Sequence, residues 1–105
     1  MLEITEVSRA GWRIVSAKGR AGVQETETLE KALEAAAATG EKVALDLSAL
    51  EYISSAGLRS LLSGARAAQT HQVEFVVCSP VPGVRKVFEI SGIGSLVKIQ
   101  EGLPC

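Results

Sequence analysis

Cysteine and histidine are scarce in this 105-residue chain, which contains two cysteines and one histidine. Cys78 and Cys105 stand far apart, and no second pair exists to complete a set of zinc ligands. A domain of this length buries roughly two-thirds of its unfolded surface, so we expect it to fold without a disulfide or a metal ion. We expect no cofactor.

An excess of one charge is also missing, since 11 basic and 12 acidic residues give a net charge of −1 with the histidine neutral. Nucleic-acid-binding modules usually carry a basic stripe, so we expect no direct nucleic-acid partner. No apolar run approaches the roughly 18 residues of a membrane span. The first residues also lack the basic and apolar segments of a signal peptide. These absences predict a cytoplasmic protein without a membrane partner.

Aromatic residues make up only 4% of the chain, whereas hydrophobic residues make up 47%. The hydrophobic fraction excludes an intrinsically disordered chain. It also predicts a core built mainly from leucine, isoleucine, valine and alanine. We find no repeat, low-complexity tract or linker, so residues 1–105 are predicted to form one domain.

The hydrophobic pattern changes its period along the chain. Two short alternating segments flank turn-forming residues 8–11 and predict a β-hairpin, whose second strand is broken by residues 19–22. Beyond the hairpin, the pattern predicts helical faces at residues 29–37, 58–68 and 84–88, and strands at 43–47, 73–78 and 96–99.

The resulting order, β-β-α-β-α-β-α-β, predicts a single α/β domain with three main helices. Alternation of strands and helices favours parallel strands joined by right-handed crossovers. The N-terminal hairpin adds an antiparallel strand, so the predicted central β-sheet is mixed.

Two adjacent serines, Ser54 and Ser55, follow the strand at 43–47, and reactive groups in α/β sheets gather at such strand ends. One interpretation makes either serine a helix N-cap. A second makes it a phosphate acceptor, because the helix dipole and exposed amides favour an anion there. Gly57 costs about 1 kcal/mol relative to alanine inside a helix, and it uncovers the backbone for another molecule. The residues alone leave both interpretations open.

Asp46-Leu47-Ser48, followed by Tyr52-Ile53-Ser54-Ser55-Ala56-Gly57-Leu58, resembles the signature of STAS domains, specifically the bacterial anti-sigma factor antagonists. Gly19-Arg20 and the segments 76–80 and 87–92 also match family positions. The resemblance covers essentially the whole chain and implies a STAS-like fold.

The resemblance implies a partner-switching protein. In that scheme the unphosphorylated antagonist binds an anti-sigma factor that is an ATP-binding serine kinase, and thereby frees the client of that factor. The kinase phosphorylates the antagonist, the complex dissociates, and a PP2C-type phosphatase restores the binding form. The family's phosphoacceptor lies two residues before the glycine at the helix start, which is Ser55 here, with Ser54 as the alternative. Ser54 and Gly22 stand where many members have aspartate.

The predicted partner-binding surface surrounds this serine, and we expect the free protein to be monomeric. Tyr52 and Ile53 are open to two interpretations, as core residues or as exposed anchors. Asp46 and Ser48 are predicted to support the site, and Asp46 to accept backbone hydrogen bonds. The predicted surface comprises Arg20, Gln24, Tyr52, Ile53, Ser54, Ser55, Gly57, Leu58 and Arg59.

Two other function classes compete with partner switching. The first is a STAS scaffold or regulatory module that is never phosphorylated, which the missing family aspartates favour. The second is a small serine hydrolase, which needs a histidine beside the serine. His71 is predicted to lie near the far end of the second helix, and Asp46 has no second acid or base. We therefore expect a protein that is not an enzyme.

Overall fold

The computed structural model describes residues 1–104, and Cys105 lies outside them. The predicted element order is confirmed. The strands are β1 (Leu2–Arg9), β2 (Trp12–Ala21), β3 (Lys42–Ile53), β4 (Phe75–Cys78) and β5 (Lys98–Gln100). The helices are α1 (Thr26–Ala38), α2 (Ser55–Thr70) and α3 (Pro82–Ser91), with short 3-10 turns at Val23–Glu25 and Ile93–Ser95.

The five strands form one mixed sheet in the order β1-β2-β3-β4-β5. β1 is antiparallel to β2, and every other neighbouring pair is parallel. Each crossover after β2 adds the next strand on the same side, and right-handed connections then bring all three helices to one face. The main core contains Leu33 of α1, Leu61 of α2 and Phe88 of α3.

The opposite face of the sheet carries a second, smaller apolar cluster. It consists of buried side chains from β2, β3 and β4, against which Leu103 packs. Central strands buried on both faces have nearly continuous apolar sequences, which explains the pattern of residues 43–47 and 75–78. The members of this cluster are Trp12, Ile14, Ala44, Val76 and Cys78.

Two strands are longer than the sequence pattern predicts. Residues 19–22 were expected to break the second strand, but β2 continues through Ala21. The strand predicted at 43–47 extends to Ile53, which makes β3 12 residues long. The register between β2 and β3 shifts twice, so β3 contains bulges in which its residues outnumber those opposite them.

The bulges interrupt the alternation of buried and exposed residues in the second half of β3, so the hydrophobic pattern does not predict a strand there. Its buried residues there are Leu47, Leu50 and Ile53, which recur at every third position instead of alternating. β3 also runs well beyond the end of β4, because it continues to pair with β2 after its pairing with β4 stops at Asp46 and Cys78. The extended ends of β2 and β3 therefore support the start of α2.

Candidate functional site

The two serines at the start of α2 make different contacts. The Ser54 hydroxyl is the N-cap and accepts a hydrogen bond from the Gly57 amide at 3.0 Å. The Ser54 amide donates to the Ala21 carbonyl at 2.9 Å, which joins the start of α2 to the end of β2. Ser55 is exposed, and its hydroxyl forms no hydrogen bond with any of residues 1–104. Capping therefore accounts for Ser54 and leaves the Ser55 hydroxyl unused.

Ser54→Ala is expected to lower the free energy of unfolding by about 1 kcal/mol, because the Gly57 amide loses its acceptor. In a domain of this size the melting temperature should fall by about 4–8 °C, measured by circular dichroism. The control is Ser95→Ala, which removes an exposed hydroxyl from a 3-10 turn and should have little effect. An unchanged melting temperature for Ser54→Ala would contradict the capping role.

Gly57 is buried, which corrects the prediction that it forms part of the exposed surface. A Cβ atom at this position would lie 2.8 Å from Cγ1 of Ile53 and 3.0 Å from the carbonyl oxygen of Ala21. The missing side chain therefore lets α2 begin directly on the ends of β2 and β3. Gly57 positions the neighbouring serines by packing, rather than by admitting another molecule.

The sequence left open whether Tyr52 and Ile53 are core residues or exposed anchors, and the structure gives a different answer for each. Ile53 is a core residue with 3% exposure, so its placement on the partner surface was wrong, whereas Tyr52 is 41% exposed. Arg20 lies opposite Tyr52 in the β2–β3 register, and its Cζ atom is 4.5 Å from the centre of the tyrosine ring. Leu58 is half-buried and packs against the main core.

Two other residues of the predicted partner-binding surface, Arg59 in the first turns of α2 and Gln24 in the turn before α1, are exposed. Arg59 borders a cleft of about 290 Å³ between α1 and α2, together with Glu30. Neither Arg20 nor Arg59 forms an ion pair within the described part of the chain.

Sequence reasoning missed two residues of the turn between β2 and α1. Val23 is 72% exposed on the short 3-10 turn Val23–Glu25. The Glu25 carboxylate accepts a hydrogen bond from the Gly22 amide at 2.9 Å, so an acidic group does lie in this turn. A single valine between glycine and glutamine gave no periodic signal from which its exposure could be predicted.

Asp46 and Ser48 lie at the first bulge of β3. The Asp46 carboxylate accepts a hydrogen bond from the Ser48 amide at 3.0 Å and one from the Ser16 hydroxyl at 3.4 Å. This is the backbone-bonding role predicted for Asp46, although it occurs within a strand instead of a turn. These contacts stabilise the bulge that directs the far half of β3 towards α2.

The three groups of a serine hydrolase do not meet. His71 caps the C-terminal end of the 16-residue helix α2, about 24 Å along the helix from Ser55. Asp46 lies at the bulge, eight residues before Ser54. Across residues 1–104, no group of three or more histidine, cysteine, aspartate or glutamate side chains is arranged to hold a metal ion. Within the same range, no helix combines the length and apolarity needed to cross a membrane.

The structure thus defines a small α/β domain with helices on one face of its sheet, and with an exposed serine and basic and apolar side chains near the ends of β2 and β3. The family profile described as "Mlab, STAS domain" matches residues 6–98. The chain belongs to the STAS-domain family of anti-sigma factor antagonists.

Individual relatives agree with this assignment. BtrV, assigned as an anti-sigma factor antagonist of Bordetella bronchiseptica, is 43% identical over 90 residues, which are 85% of this chain and 78% of BtrV. An anti-sigma factor antagonist from Mycobacterium paratuberculosis superposes with a TM-score of 0.88 at 23% identity, over 98% of this chain and 88% of the other.

SpoIIAA has the same fold in both of its phosphorylation states. Its unphosphorylated form superposes with a TM-score of 0.78 at 20% identity, over 99% of this chain and 90% of SpoIIAA. The phosphorylated Bacillus form gives a TM-score of 0.71 at 19% identity, over 99% and 93% of the two chains. At these identities the structural likeness demonstrates the fold alone.

Proposed function

We propose that this STAS domain is the phosphorylatable antagonist of a cytoplasmic bacterial partner-switching pathway. The unphosphorylated form binds an anti-sigma factor that is an ATP-binding serine kinase, and this binding releases the client of that factor. Phosphorylation of Ser55 dissociates the complex, and a PP2C-type phosphatase restores the binding form. The domain acts as a docking partner and a substrate, not as an enzyme, and is a monomer when free.

The carrying observation is the Ser55 hydroxyl. It is exposed on the first residue of α2 and forms no hydrogen bond within residues 1–104. A kinase therefore reaches this hydroxyl without unfolding the helix or breaking a cap. Ser54 is a poorer phosphate acceptor, because its hydroxyl oxygen already accepts a hydrogen bond from the Gly57 amide.

A phosphate at Ser55 is compatible with the folded domain. It adds nearly two negative charges at the N-terminus of α2, where the helix dipole favours an anion. Arg59 follows Ser55 by one helical turn, at the spacing that allows a side-chain ion pair. The phosphate therefore changes the docking surface while the fold is preserved, and SpoIIAA, which has been solved in both states, has this same fold.

The test is phosphorylation in vitro. The protein is incubated with ATP and its purified cognate serine-kinase anti-sigma factor, and the products are analysed by peptide mass spectrometry. We expect one phosphate on Ser55, none in Ser55→Ala, and continued modification of Ser54→Ala. The PP2C-type phosphatase should remove the phosphate.

Two results would contradict this assignment. Phosphate on Ser54 would show that the acceptor has been placed one residue too late. A kinase that binds the domain but never modifies it would favour the non-phosphorylated scaffold.

A further inference from the structure

We propose that Arg20, Val23 and Tyr52 form the anchor of the docking surface, and that they bind a partner protein presenting a carboxylate beside an apolar pocket. We call these three residues the Arg20 anchor. The inference rests on the proposed function, because the Arg20 anchor borders the same edge as Ser55. It adds the chemistry of the partner's contact surface.

Arg20 is held in place before any partner arrives. Its amide donates to the Met1 carbonyl at 2.9 Å, and its position in β2 pairs with Tyr52 of β3. The preceding Gly19 has a φ of +106°, and a Cβ atom there would overlap the Met1 carbonyl. The guanidinium stacks on the Tyr52 ring, so little side-chain entropy remains to be lost on binding.

Stacking covers one face of the guanidinium but leaves its N–H groups free to donate. Arg20 has no carboxylate partner within the described residues, and it differs from the other unpaired arginines, Arg9, Arg59 and Arg66, in being held over the Tyr52 ring. The planar fork of an arginine matches the two oxygens of a carboxylate. Arg20 is therefore a preorganised donor that lacks a carboxylate acceptor within residues 1–104.

A partner that docks over Ser55 and the adjoining ends of β2 and β3 would cover Arg20 as well. Arg20 and Tyr52 are paired one position before the last pair of β2 and β3, Ala21 and Ile53, and the Ser54 amide that starts α2 is bonded to the Ala21 carbonyl. An arginine that loses water without gaining an anion costs several kcal/mol. The partner must therefore supply a carboxylate where Arg20 is covered.

Val23 supplies the apolar part of the anchor. It is 72% exposed, and its turn packs against α2 and is fixed by the bond from the Gly22 amide to Glu25. An exposed valine three residues after the stacked arginine fits an apolar pocket with a polar rim. The net charge of −1 favours a protein partner over nucleic acid or an anionic membrane.

The same chemistry explains how phosphorylation would break the complex. A carboxylate that the partner directs towards Arg20 and a phosphate on Ser55 would lie in the same interface. The two anions repel each other there. Phosphorylation of Ser55 would therefore weaken binding through the Arg20 anchor.

The experiment titrates the purified serine-kinase anti-sigma factor with Arg20→Ala, Arg20→Lys and a control, Arg66→Ala, by calorimetry at several salt concentrations. Arg66 is also exposed and has no ion pair within the described range. We expect Arg20→Ala to weaken binding about tenfold or more and to reduce its salt dependence. Arg20→Lys should recover only part of the affinity, and Arg66→Ala should bind as the wild type does.

A second comparison tests the apolar part. Val23→Ser should weaken binding about fivefold to thirtyfold, since burial of a valine is worth roughly 1–2 kcal/mol. Ile90→Ser alters an equally exposed apolar side chain on α3 and should have no effect. Circular dichroism should give the same melting temperature for all these variants within about 3 °C.

The outcomes separate the two proposals. If the wild type does not bind the kinase, the proposed function fails. If the wild type binds but Arg20→Ala and Arg66→Ala have equal affinity, only the Arg20 anchor is overturned. Vesicles of phosphatidylglycerol that bind the wild type but not Arg20→Ala, with kinase binding unchanged, would overturn it as well, because the anchor would then serve a lipid surface.

Discussion

Ser55→Asp is expected to weaken binding of the serine-kinase anti-sigma factor by a few hundredfold while the domain stays folded. Docking would remove water from the new carboxylate and place it against the partner's own anion, at a cost of about 3–4 kcal/mol. Each 1.4 kcal/mol is tenfold in affinity. Because Ser55 is exposed and aspartate is favoured at a helix N-terminus, the melting temperature should not fall. Calorimetric titration and thermal denaturation measure the two effects.

Two variants serve as controls for this result. Ser55→Ala keeps the site neutral and should bind almost as the wild type does. Ser95→Asp introduces the same charge in the turn before β5. This turn lies at the N-terminal end of a parallel strand, whereas Ser55 follows the C-terminal end of β3, so binding should be unchanged. Equal affinity of the wild type and Ser55→Asp would contradict the electrostatic account. A large loss of stability would instead show that Ser55 is needed to start the helix.

Gly64→Val is expected to cause the largest loss of stability of the variants considered. Gly64 lies in α2 against α1, and a Cβ atom there would be 2.6 Å from both Cβ and Cδ1 of Leu33. Rotation of the leucine side chain cannot move its own Cβ, so the helices must separate. Overpacking of this kind costs about 3 kcal/mol, which lowers the melting temperature of a domain of this size by about 12–24 °C.

The matched control is Gly83→Val, which makes the same change in α3 where no heavy atom lies within 4 Å of the added Cβ. It should be nearly neutral. The losses caused by Leu33→Ala and Gly64→Val should be less than additive in the double variant, because the two residues occupy one contact. Equal denaturant midpoints for Gly64→Val and Gly83→Val would contradict close packing between α1 and α2.

The start of α2 illustrates how far residue patterns reach. The sequence places Ser54 and Ser55 between a strand and a helix, and the family resemblance selects Ser55 as the phosphoacceptor. Hydrophobic periodicity does not reveal the hydrogen bonds that distinguish the two serines. The Ser54 cap exists because its hydroxyl points towards the Gly57 amide, which only the structure shows. The role of Gly57 was misjudged for a similar reason, because its closest contacts include Ala21, which is far away in sequence.

The surface around Ser55 shows the same division. Arg20 and Tyr52 are separated by 32 positions in the sequence, and only the bulged register of β2 and β3 brings them into a stacked pair. Ile53 and Tyr52 are adjacent in sequence and therefore point to opposite faces of β3, but the bulges before them determine which of the two faces the core. Val23 was not predicted, because exposure is a property of the assembled turn.

The sequence by itself determined the element order, the α/β class with a mixed sheet, the aliphatic core and the family. These properties depend on local periodicity, composition and short motifs, which are readable without distant contacts. The tertiary structure alone decided the strand order, the placement of all helices on one face, the lengths of β2 and β3, and which serine is a cap. These depend on register, bulges and packing between residues far apart in the chain. The scarcity of cysteine and histidine predicted no metal site or catalytic set, and the fold directs attention instead to one exposed hydroxyl and the Arg20 anchor beside it.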